Sequence, residues 1–590
     1  MAKELTVPKS AEELEEQLGV AFRSGDIGQT AFITWELMNR FPDKAGVARV
    51  YAKKILRDPE IAGLTVEAIR NNVKTAVAEK NNDEAVQLAA LGLLKFPADR
   101  SLTLRFLDGL DKQKRLDLAV HALDSLGEPA GDDVTLLNAA AALAHRQGDH
   151  QRAYKLFSHL HSIAPDNEQI VTNLSAAQVG LKKFDEAVSL LEFFVADAKE
   201  PKEFVRRLIN IYHVYYGDAT THLKTLDDRF FRSCDSIKNA RVHADVSTFL
   251  QDFEQVERGL EACQSFKYNP VVKFEISEAQ LTLGKFEEAL KNYKVRFEAF
   301  PHLLYCEPEG KPYEGQILDE ESLFVWSEQG IGDELLFACL FEELDKRVKN
   351  VTVAMDPRTI PPVAKKYPHW RFINRHQLED DTPVTDFACP SGDLFILFFP
   401  ELLSARKSFR EPLITPDEAR LRSIQKILGQ KIKPRVGICW RGGSGVNGSI
   451  RSMDLPTFMA GLPSESDLSI TSLQYDGEHE QEVIDHGDRR VALSGLNNRD
   501  DLEGVFCLLS QCDAVFTVDN AVAHFSSLMG LPTFVLIPAG QTQFRWKNPD
   551  LKQMFFPHAV LCRQTVPGDW GMAVEQGWSA VLNHLGLEAA

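Results

Sequence analysis

The sequence has few of the features that mark secreted, membrane-bound or nucleic-acid-binding proteins. No cysteine occurs before Cys234, and the nine cysteines form no CxxC pair, which argues against a disulfide framework or a zinc knuckle. No uncharged apolar run is long enough for a membrane span, and the amino-terminal segment lacks the apolar core of a signal peptide. Acidic residues outnumber basic ones, 85 to 66, which argues against wholesale binding of nucleic acid. We therefore expect a cytosolic protein.

The chain contains enough apolar residues to form sizeable buried cores. Its composition is 44% hydrophobic and 26% charged, as in ordinary soluble globular proteins. At about 150 residues per domain, its length of 590 residues predicts three to four domains.

Small residues recur with a fixed period in the first half of the chain. Alanines lie 34 residues apart, and a later one follows after three further periods: Ala85, Ala119, Ala153, Ala187 and Ala289. A glycine precedes two of them by five residues, and a proline follows three of them by twelve: Gly148, Gly284, Pro97, Pro165 and Pro301. Two antiparallel helices per unit explain this spacing, because a small residue allows close packing while glycine and proline end helices.

This skeleton resembles the tetratricopeptide repeat. Stacked repeats form an extended concave surface, which favours binding of a protein or peptide partner. The alternative is a spacer or a dimerisation arm. The pattern predicts a helical repeat domain over residues 1–300, followed by a proline- and acid-rich linker over 301–321.

The second half alternates strand and helix patterns, which predicts parallel sheets. Apolar runs that we interpret as strands lie at 323–326, 351–354, 395–398, 436–440, 470–475, 514–518 and 533–537. A polar segment near 402–434 divides them into a first α/β lobe at 322–430 and a second at 431–590. Two such lobes would form a cleft, where ligands of these sheets usually bind.

Three loops of this half follow predicted strands. The first contains Gly330, Gly332 and Asp333; its glycines allow close approach to a ligand, and Asp333 is either a helix N-cap or a general base. The second runs over 441–452 and includes Arg441, Gly442, Gly443, Arg451 and Ser452. Its glycines and arginines favour binding of an anion over a flexible solvent loop.

The third loop contains Asp519 and Asn520 and leads into a helix that starts at Ala521. The amino terminus of that helix would offer free N–H groups to a diphosphate. His524 lies one turn further on and is either a packed helix residue or part of the site. Arg545, after the last of these strands, is a further candidate contact for phosphate or sugar.

These loops resemble three motifs of bacterial proteins that join tetratricopeptide repeats to a family 9-like (heptosyltransferase-like) glycosyltransferase domain. The runs are KPYEGQILDEESLFVWSEQGIGDELLF, VGICWRGGSGVNGSIRSMDL and CDAVFTVDNAVAHFSSLMGLPTFVLIPAGQTQFRW, in the family's order. The domain plan is also similar to repeat-bearing flagellin glycosyltransferases and O-linked N-acetylglucosamine transferases. The resemblance implies a GT-B fold, with two Rossmann-like lobes. Two features depart from it: Asn520 replaces the usual Thr or Ser, and the first lobe is short.

The resemblance also implies roles for individual residues. Asp333 would deprotonate the acceptor hydroxyl, and the loop with Arg451 and Ser452 would hold the donor phosphates. The segment with Asp519, Asn520 and His524 would form the donor-binding helix start. Transfer would proceed with inversion at the anomeric carbon, with no bound metal and no cofactor beyond the nucleotide sugar itself.

We therefore predict a glycosyltransferase that moves a sugar to a Ser or Thr hydroxyl of a protein held by the repeats, with flagellin as the best single candidate by analogy of domain plan. A first alternative is an enzyme that acts on a glycan or a lipid-linked saccharide. A second is a non-catalytic scaffold that keeps a sugar-nucleotide fold. A third is a sugar-nucleotide epimerase. The sequence does not distinguish between nucleotides or sugars.

Overall fold

The computed structural model describes residues 10–587 with interruptions, and the chain divides after Lys199 into two compact units. The residues outside the description are 1–9, 80, 114, 116–117, 119–133, 147, 196, 200, 214–218, 305, 307, 379–381, 410, 444–447, 449, 465, 476–478, 540–542, 567 and 588–590. They include the repeat alanine Ala119 and much of the predicted anion loop. No helix in the described part of the chain combines the length and apolar character needed to cross a membrane.

The first unit is helical throughout its described elements. Its helices are α1 (Ala11–Arg23), α2 (Ile27–Arg40), α3 (Gly46–Arg57), α4 (Pro59–Ala62), α5 (Val66–Ala78), α6 (Asn82–Lys95), α7 (Arg100–Lys112), α8 (Val134–Arg146), α9 (His150–Ile163), α10 (Glu168–Gly180) and α11 (Phe184–Val195). The periodic alanines of this unit that the structure describes are buried in them: Ala85, Ala153 and Ala187. Their small volume lets neighbouring helices pack closely, as the period predicts.

Helices continue through the first hundred residues of the second unit. They are α12 (Pro201–Ile211), α13 (Ala219–Phe230), α14 (Ile237–Phe249), α15 (Phe253–Phe266), α16 (Pro270–Leu283), α17 (Phe286–Tyr293) and α18 (Arg296–Ala299). Helix α16 ends at Gly284, whose left-handed backbone (φ 77°) suits glycine at this position. The last periodic alanine, Ala289, is fully buried on α17.

Eleven strands follow in the described part of the chain and form two sheets. The strands are β1 (Lys311–Pro312), β2 (Leu318–Trp326), β3 (Val348–Met355), β4 (Arg371–Asn374), β5 (Phe387–Pro390), β6 (Arg435–Cys439), β7 (Ser469–Ser472), β8 (Val491–Ala492), β9 (Ala514–Val518), β10 (Thr533–Ile537) and β11 (Ala559–Arg563). All their pairings are parallel.

The strand orders explain why the first lobe is short. The second sheet has the order β11-β10-β9-β6-β7-β8, which is the complete Rossmann order of six strands. The first has the order β1-β5-β2-β3-β4, in which only four strands follow that order and β1 is added at the edge. The predicted fold class, a helical repeat region followed by an α/β region with two Rossmann-like lobes, is confirmed.

Helices lie between most of these strands. They are α19 (Ile331–Ala338), α20 (Phe341–Asp345), α21 (Ile360–Lys366), α22 (Ser391–Ser404), α23 (Glu418–Leu428), α24 (Leu455–Met459), α25 (His479–His486), α26 (Leu502–Leu509), α27 (Ala521–Leu528), α28 (Phe544–Lys547), α29 (Pro549–Phe555) and α30 (Gly571–His584).

Two features differ from the sequence prediction. The apolar run 395–398, predicted as a strand, lies inside α22, because a short apolar run fits a buried helix as well as a buried strand. The segment 301–321, predicted as a linker, contains β1 and the first residues of β2.

The helices before residue 300 share a core with the first sheet. Leu281, Leu290 and Tyr293 belong to the same buried cluster as Leu336 and Phe395. Residues 200–300 lie in the same compact unit as the two sheets.

Candidate active site

Side chains from two sides hold the loop that follows β2. Gln329 has a left-handed backbone (φ 64°), which a residue other than glycine rarely adopts. Arg375 Nη1 donates hydrogen bonds to the Gln329 carbonyl (3.2 Å) and to Ser327 Oγ (3.4 Å). From the other side, Gln329 Nε2 donates to Tyr293 Oη (3.3 Å). These bonds fix the point at which α19 begins.

Asp333 lies in the first turn of α19 and pairs with Arg545 of α28. Gly330 occupies the N-cap, and no side chain caps this helix, so the interpretation of Asp333 as an N-cap is wrong. A carboxylate oxygen of Asp333 instead accepts a hydrogen bond from Arg545 Nη1. The Arg545 side chain is 5% exposed and that of Asp333 is 20% exposed, so the pair is largely shielded but the carboxylate remains accessible.

The charges of this pair fix its protonation. Burial acts to raise the pKa of Asp333, but the positive charge and hydrogen bond of Arg545 outweigh it, and the pKa lies below its ordinary value. His524 is buried beside the pair, and burial together with the charge of Arg545 lowers its pKa to about 3. Near neutral pH the site thus contains an ionised carboxylate, a guanidinium and an uncharged imidazole.

Gly332 brings two helices together. A Cβ atom at this position would lie 3.3 Å from Cγ of His524, so the absence of a side chain lets α19 and α27 approach closely. The close approach predicted for this glycine is thus made to His524 of the second lobe.

The adjacent acid, Glu334, has a structural role. Its carboxylate accepts hydrogen bonds from the backbone N–H of Asp356 (3.0 Å), from the Thr359 hydroxyl and from Arg375 Nη1 (3.2 Å). The side chain is 1% exposed. These contacts tie the start of α19 to the end of β3 and orient the turn that carries Asp333.

Of the loop over 441–452, the structure describes residues 441–443, 448 and 450–452. Ser452 Oγ accepts from the Gly442 N–H (3.0 Å) and donates to the Gly448 carbonyl (2.6 Å), so its hydroxyl holds the loop together. The Arg441 guanidinium pairs with Glu482 of α25. Both side chains, predicted as donor contacts, are engaged in bonds within the second lobe.

Arg451 lies across the glycines of this loop. A Cβ atom at Gly442 would be 2.6 Å from Arg451 Nε, and one at Gly443 would be 3.8 Å from its Nη2. Arg451 Nη1 lies 4.0 Å from Asp519 Oδ2. Glycine at 442 therefore leaves room for this arginine to reach the end of β9.

Asp519 and Asn520 end β9 with their side chains bonded to protein groups. Asp519 is buried and accepts a hydrogen bond from Trp546 Nε1 (2.9 Å); burial raises its pKa, against the effect of Arg451. Asn520 Oδ1 accepts from the N–H groups of Val522 (2.9 Å) and Ala523 (3.3 Å). The prediction that the helix starting at Ala521 offers free N–H groups is therefore wrong for these two amides.

Asn520 also joins two of the predicted loops, since its Nδ2 donates to the Arg441 carbonyl (3.0 Å). An amide can cap a helix with its oxygen and donate with its nitrogen, which a Thr or Ser hydroxyl achieves less well. The Asn520 amide does both at this position.

The structure brings Asp333, Arg451, Asp519, His524 and Arg545 into one cluster near the carboxyl ends of strands from both sheets. Three buried nitrogens of this cluster have no hydrogen-bond partner in the described part of the protein: Arg451 Nε, Arg545 Nε and His524 Nδ1. Buried polar atoms usually find partners. Unused guanidinium N–H groups suit a phosphate, which accepts several charge-assisted hydrogen bonds.

A cavity of about 230 Å³ opens beside this cluster, within the second unit. Its polar lining comprises Glu278, Gln329, Asp333, Gln543 and Arg545. Its apolar lining comprises Phe274, Tyr293, Phe300, Leu303, Leu336, Phe337 and Phe544. The cavity therefore connects the candidate site with the helices that precede residue 300.

Sequence reasoning missed Glu278 and Tyr293 as site residues. Both lie in the helical region and far from the three loops in sequence. Glu278 has no motif around it and resembles any polar residue of an amphipathic helix, so only the long-range packing of α16 identifies it.

Comparisons with known proteins agree with the two-part plan. A tetratricopeptide repeat family model matches residues 144–198. Protein FlbA of Caulobacter vibrioides is 24% identical over 529 residues, which cover 80% of this chain and 86% of FlbA. The aligned region is longer than either compact unit, so the similarity to FlbA includes residues of both units.

Two solved structures are similar to different shares of the chain. The glycosyl transferase family 9 protein of Veillonella parvula has a TM-score of 0.32 and 15% identity, covering 45% of this chain and 98% of that one. The O-GlcNAc transferase mutant of Thermobaculum terrenum has a TM-score of 0.23 and 10% identity, covering 89% and 94%. The described chain thus contains a tetratricopeptide repeat match at residues 144–198 and, after residue 300, an α/β region with two parallel sheets.

Proposed function

We propose that the protein transfers a sugar from a nucleotide-sugar donor to a Ser or Thr hydroxyl of a protein, with inversion and without a metal. The observation that carries this proposal is the Asp333–Arg545 pair beside Arg451, near the carboxyl ends of strands from both sheets. Ligands of Rossmann-type sheets bind at such strand ends. The cluster has a carboxylate for the acceptor and unused cationic N–H groups for the donor.

The reaction assigns a task to each group. As the bond from the anomeric carbon to the donor phosphate breaks, the phosphate gains negative charge, which Arg451 and Arg545 would stabilise. The acceptor oxygen must lose its proton as it bonds to that carbon. Asp333, ionised through Arg545, would accept this proton. Asp519 would orient Arg451, and His524 would serve as an uncharged hydrogen-bonding group.

The donor site is tested by thermal shift with UDP-N-acetylglucosamine, GDP-mannose and CMP-N-acetylneuraminic acid. A donor at 100 times its Kd should add about 2.7 kcal/mol of stability. We expect Arg451→Ala to weaken binding about 10- to 100-fold, because a hydrogen bond to a charged group contributes about 1.5–3 kcal/mol. The exposed Arg489→Ala is the matched control. Equal binding by both variants would exclude Arg451 as a phosphate contact, and no shift for any donor would favour a non-catalytic scaffold.

The protein acceptor is tested by removing residues 1–199. The cut follows the compact-unit boundary, since a cut at 300 would remove Leu281, Leu290 and Tyr293 from the α/β core. If the repeats recruit a protein, the shortened chain should keep donor hydrolysis and lose modification of that protein. Flagellin is the first acceptor to try. Unchanged modification would contradict recruitment by the first unit, and transfer only to glycan or lipid-linked saccharides would replace the protein acceptor.

A further inference from the structure

We propose that Glu278 is a second carboxylate of the transfer site and receives, from Asp333, the proton released by the acceptor hydroxyl. This inference rests on the proposed glycosyl transfer. Its basis is geometric: α16, a helix that precedes the α/β sheets, brings Glu278 to the same 230 Å³ cavity that Asp333 and Arg545 line. The helical region would then supply a catalytic group and not only a docking surface.

Among the described residues, none forms a hydrogen bond or a close ion pair with the Glu278 carboxylate, although charged groups lie near it. The charged groups that act on it are Lys547 and Arg545 of α28, Asp333 of α19 and Glu275 of its own helix. Arg545 is bonded to Asp333, and Glu275 is bonded to Arg241 (2.5 and 3.0 Å). Lys547 Nζ lies 4.1 Å from the centre of the Phe253 ring. Charged groups on neighbouring helices are paired elsewhere: Glu257 with Lys285 and Arg296 with Glu328.

The two carboxylates of the cavity differ in proton affinity. Arg545 keeps the pKa of Asp333 below its ordinary value, so Asp333 holds a proton only briefly. Burial raises the pKa of Glu278 to about 7. A proton that reaches Asp333 therefore moves downhill in free energy to Glu278, and this transfer restores the Asp333–Arg545 ion pair.

The proposed step balances atoms and charge. The acceptor O–H bond breaks, the oxygen bonds to the anomeric carbon, and the electron pair of the sugar–phosphate bond leaves with the nucleotide phosphate. The proton passes through Asp333 to Glu278, which becomes a neutral carboxylic acid. Only ionised Glu278 can accept it, so activity should be present above pH 7 and fall as the pH drops through about 7.

The test measures nucleotide release against pH with the three sugar nucleotides named above, water taking the place of the acceptor hydroxyl. The wild type should lose rate about tenfold per pH unit below about pH 7. Glu278→Gln should lower kcat about a hundredfold, leave KM unchanged and abolish that acidic limb. The exposed Glu288→Gln on α17 is the matched control and should behave as the wild type.

The outcomes separate this inference from the proposed function. Absence of turnover and binding in the wild type would contradict the proposed function. Turnover with an unchanged acidic limb in Glu278→Gln would overturn the role of Glu278 alone. Infrared titration of the protein without ligand gives a reading independent of activity: a carboxyl band that titrates near pH 7 should be present in the wild type and in Glu288→Gln and absent from Glu278→Gln. If the wild type has no such band, the inference fails.

Discussion

Replacing Asp333 by Asn is expected to lower the rate of sugar transfer by a factor of about 10² to 10⁴ while leaving donor binding intact. The amide has nearly the shape of the carboxylate but accepts no proton from the acceptor. Donor affinity should stay equal or increase, because Arg545 would no longer be neutralised by a carboxylate and could attract the phosphate more strongly. Single-turnover transfer and calorimetric titration with the donor measure the two effects separately.

The exposed Asp467→Asn provides a control of the same chemistry outside the cluster. This control should change neither the rate of sugar transfer nor the affinity for the donor. If Asp333→Asn transferred sugar at a rate close to that of the wild type, Asp333 could not be the group that takes the proton. A loss of donor binding together with turnover would instead assign Asp333 to the donor site.

The largest loss of stability is expected for Arg296→Ala. Arg296 of α18 is 1% exposed, and its guanidinium donates to both oxygens of the fully buried Glu328 (2.7 and 3.0 Å) and to Asp393 (2.7 Å). Its removal leaves the Glu328 carboxylate buried without a counter-charge, and breaking a buried pair in this way costs about 3–5 kcal/mol. Urea denaturation of the variant should show this decrease in the free energy of unfolding.

Two further variants test whether the loss of stability comes from the buried ion pair. Arg232→Ala breaks an exposed pair with Asp228 in the same helical region and should leave the free energy of unfolding close to that of the wild type. The double variant Arg296→Met with Glu328→Gln removes the isolated charge and should recover part of the loss. A cost below about 1 kcal/mol for Arg296→Ala would show that Glu328 regains solvent or another partner.

Individual helices and strands could be predicted from the sequence because the pattern of neighbouring residues determines them. The 34-residue period located helix pairs, since Ala85 and Ala153 must be small where helices touch. Strands such as β6 and β9 were recognisable as apolar runs between turn residues. The same rule failed for 395–398, where the buried Phe395 and Phe398 and the partly buried Ile396 and Leu397 of one helix produce an equally apolar run.

The candidate site was predictable only in part. The three loops and Asp333 were identified because each loop connects a strand to a helix, and such loops place polar residues at one edge of a parallel sheet. The Asp333–Arg545 pair joins residues 212 positions apart, and no local pattern encodes that contact. Asn520 and Ser452 have side chains suited to a ligand, yet both form their hydrogen bonds with groups of the protein itself. Sequence alone does not separate these two uses of the same polar group.

The position of β5 has a consequence for the order of events as the chain is synthesised. In the first sheet β5 lies between β1 and β2, both of which precede it in sequence. Residues 387–390 pair with β1 on one side and with β2 on the other. During synthesis, the edges of β1 and β2 that pair with β5 therefore have no partner until β5 is made, about sixty residues after β2. A chaperone that shields strand edges would have its greatest effect on this protein during that interval.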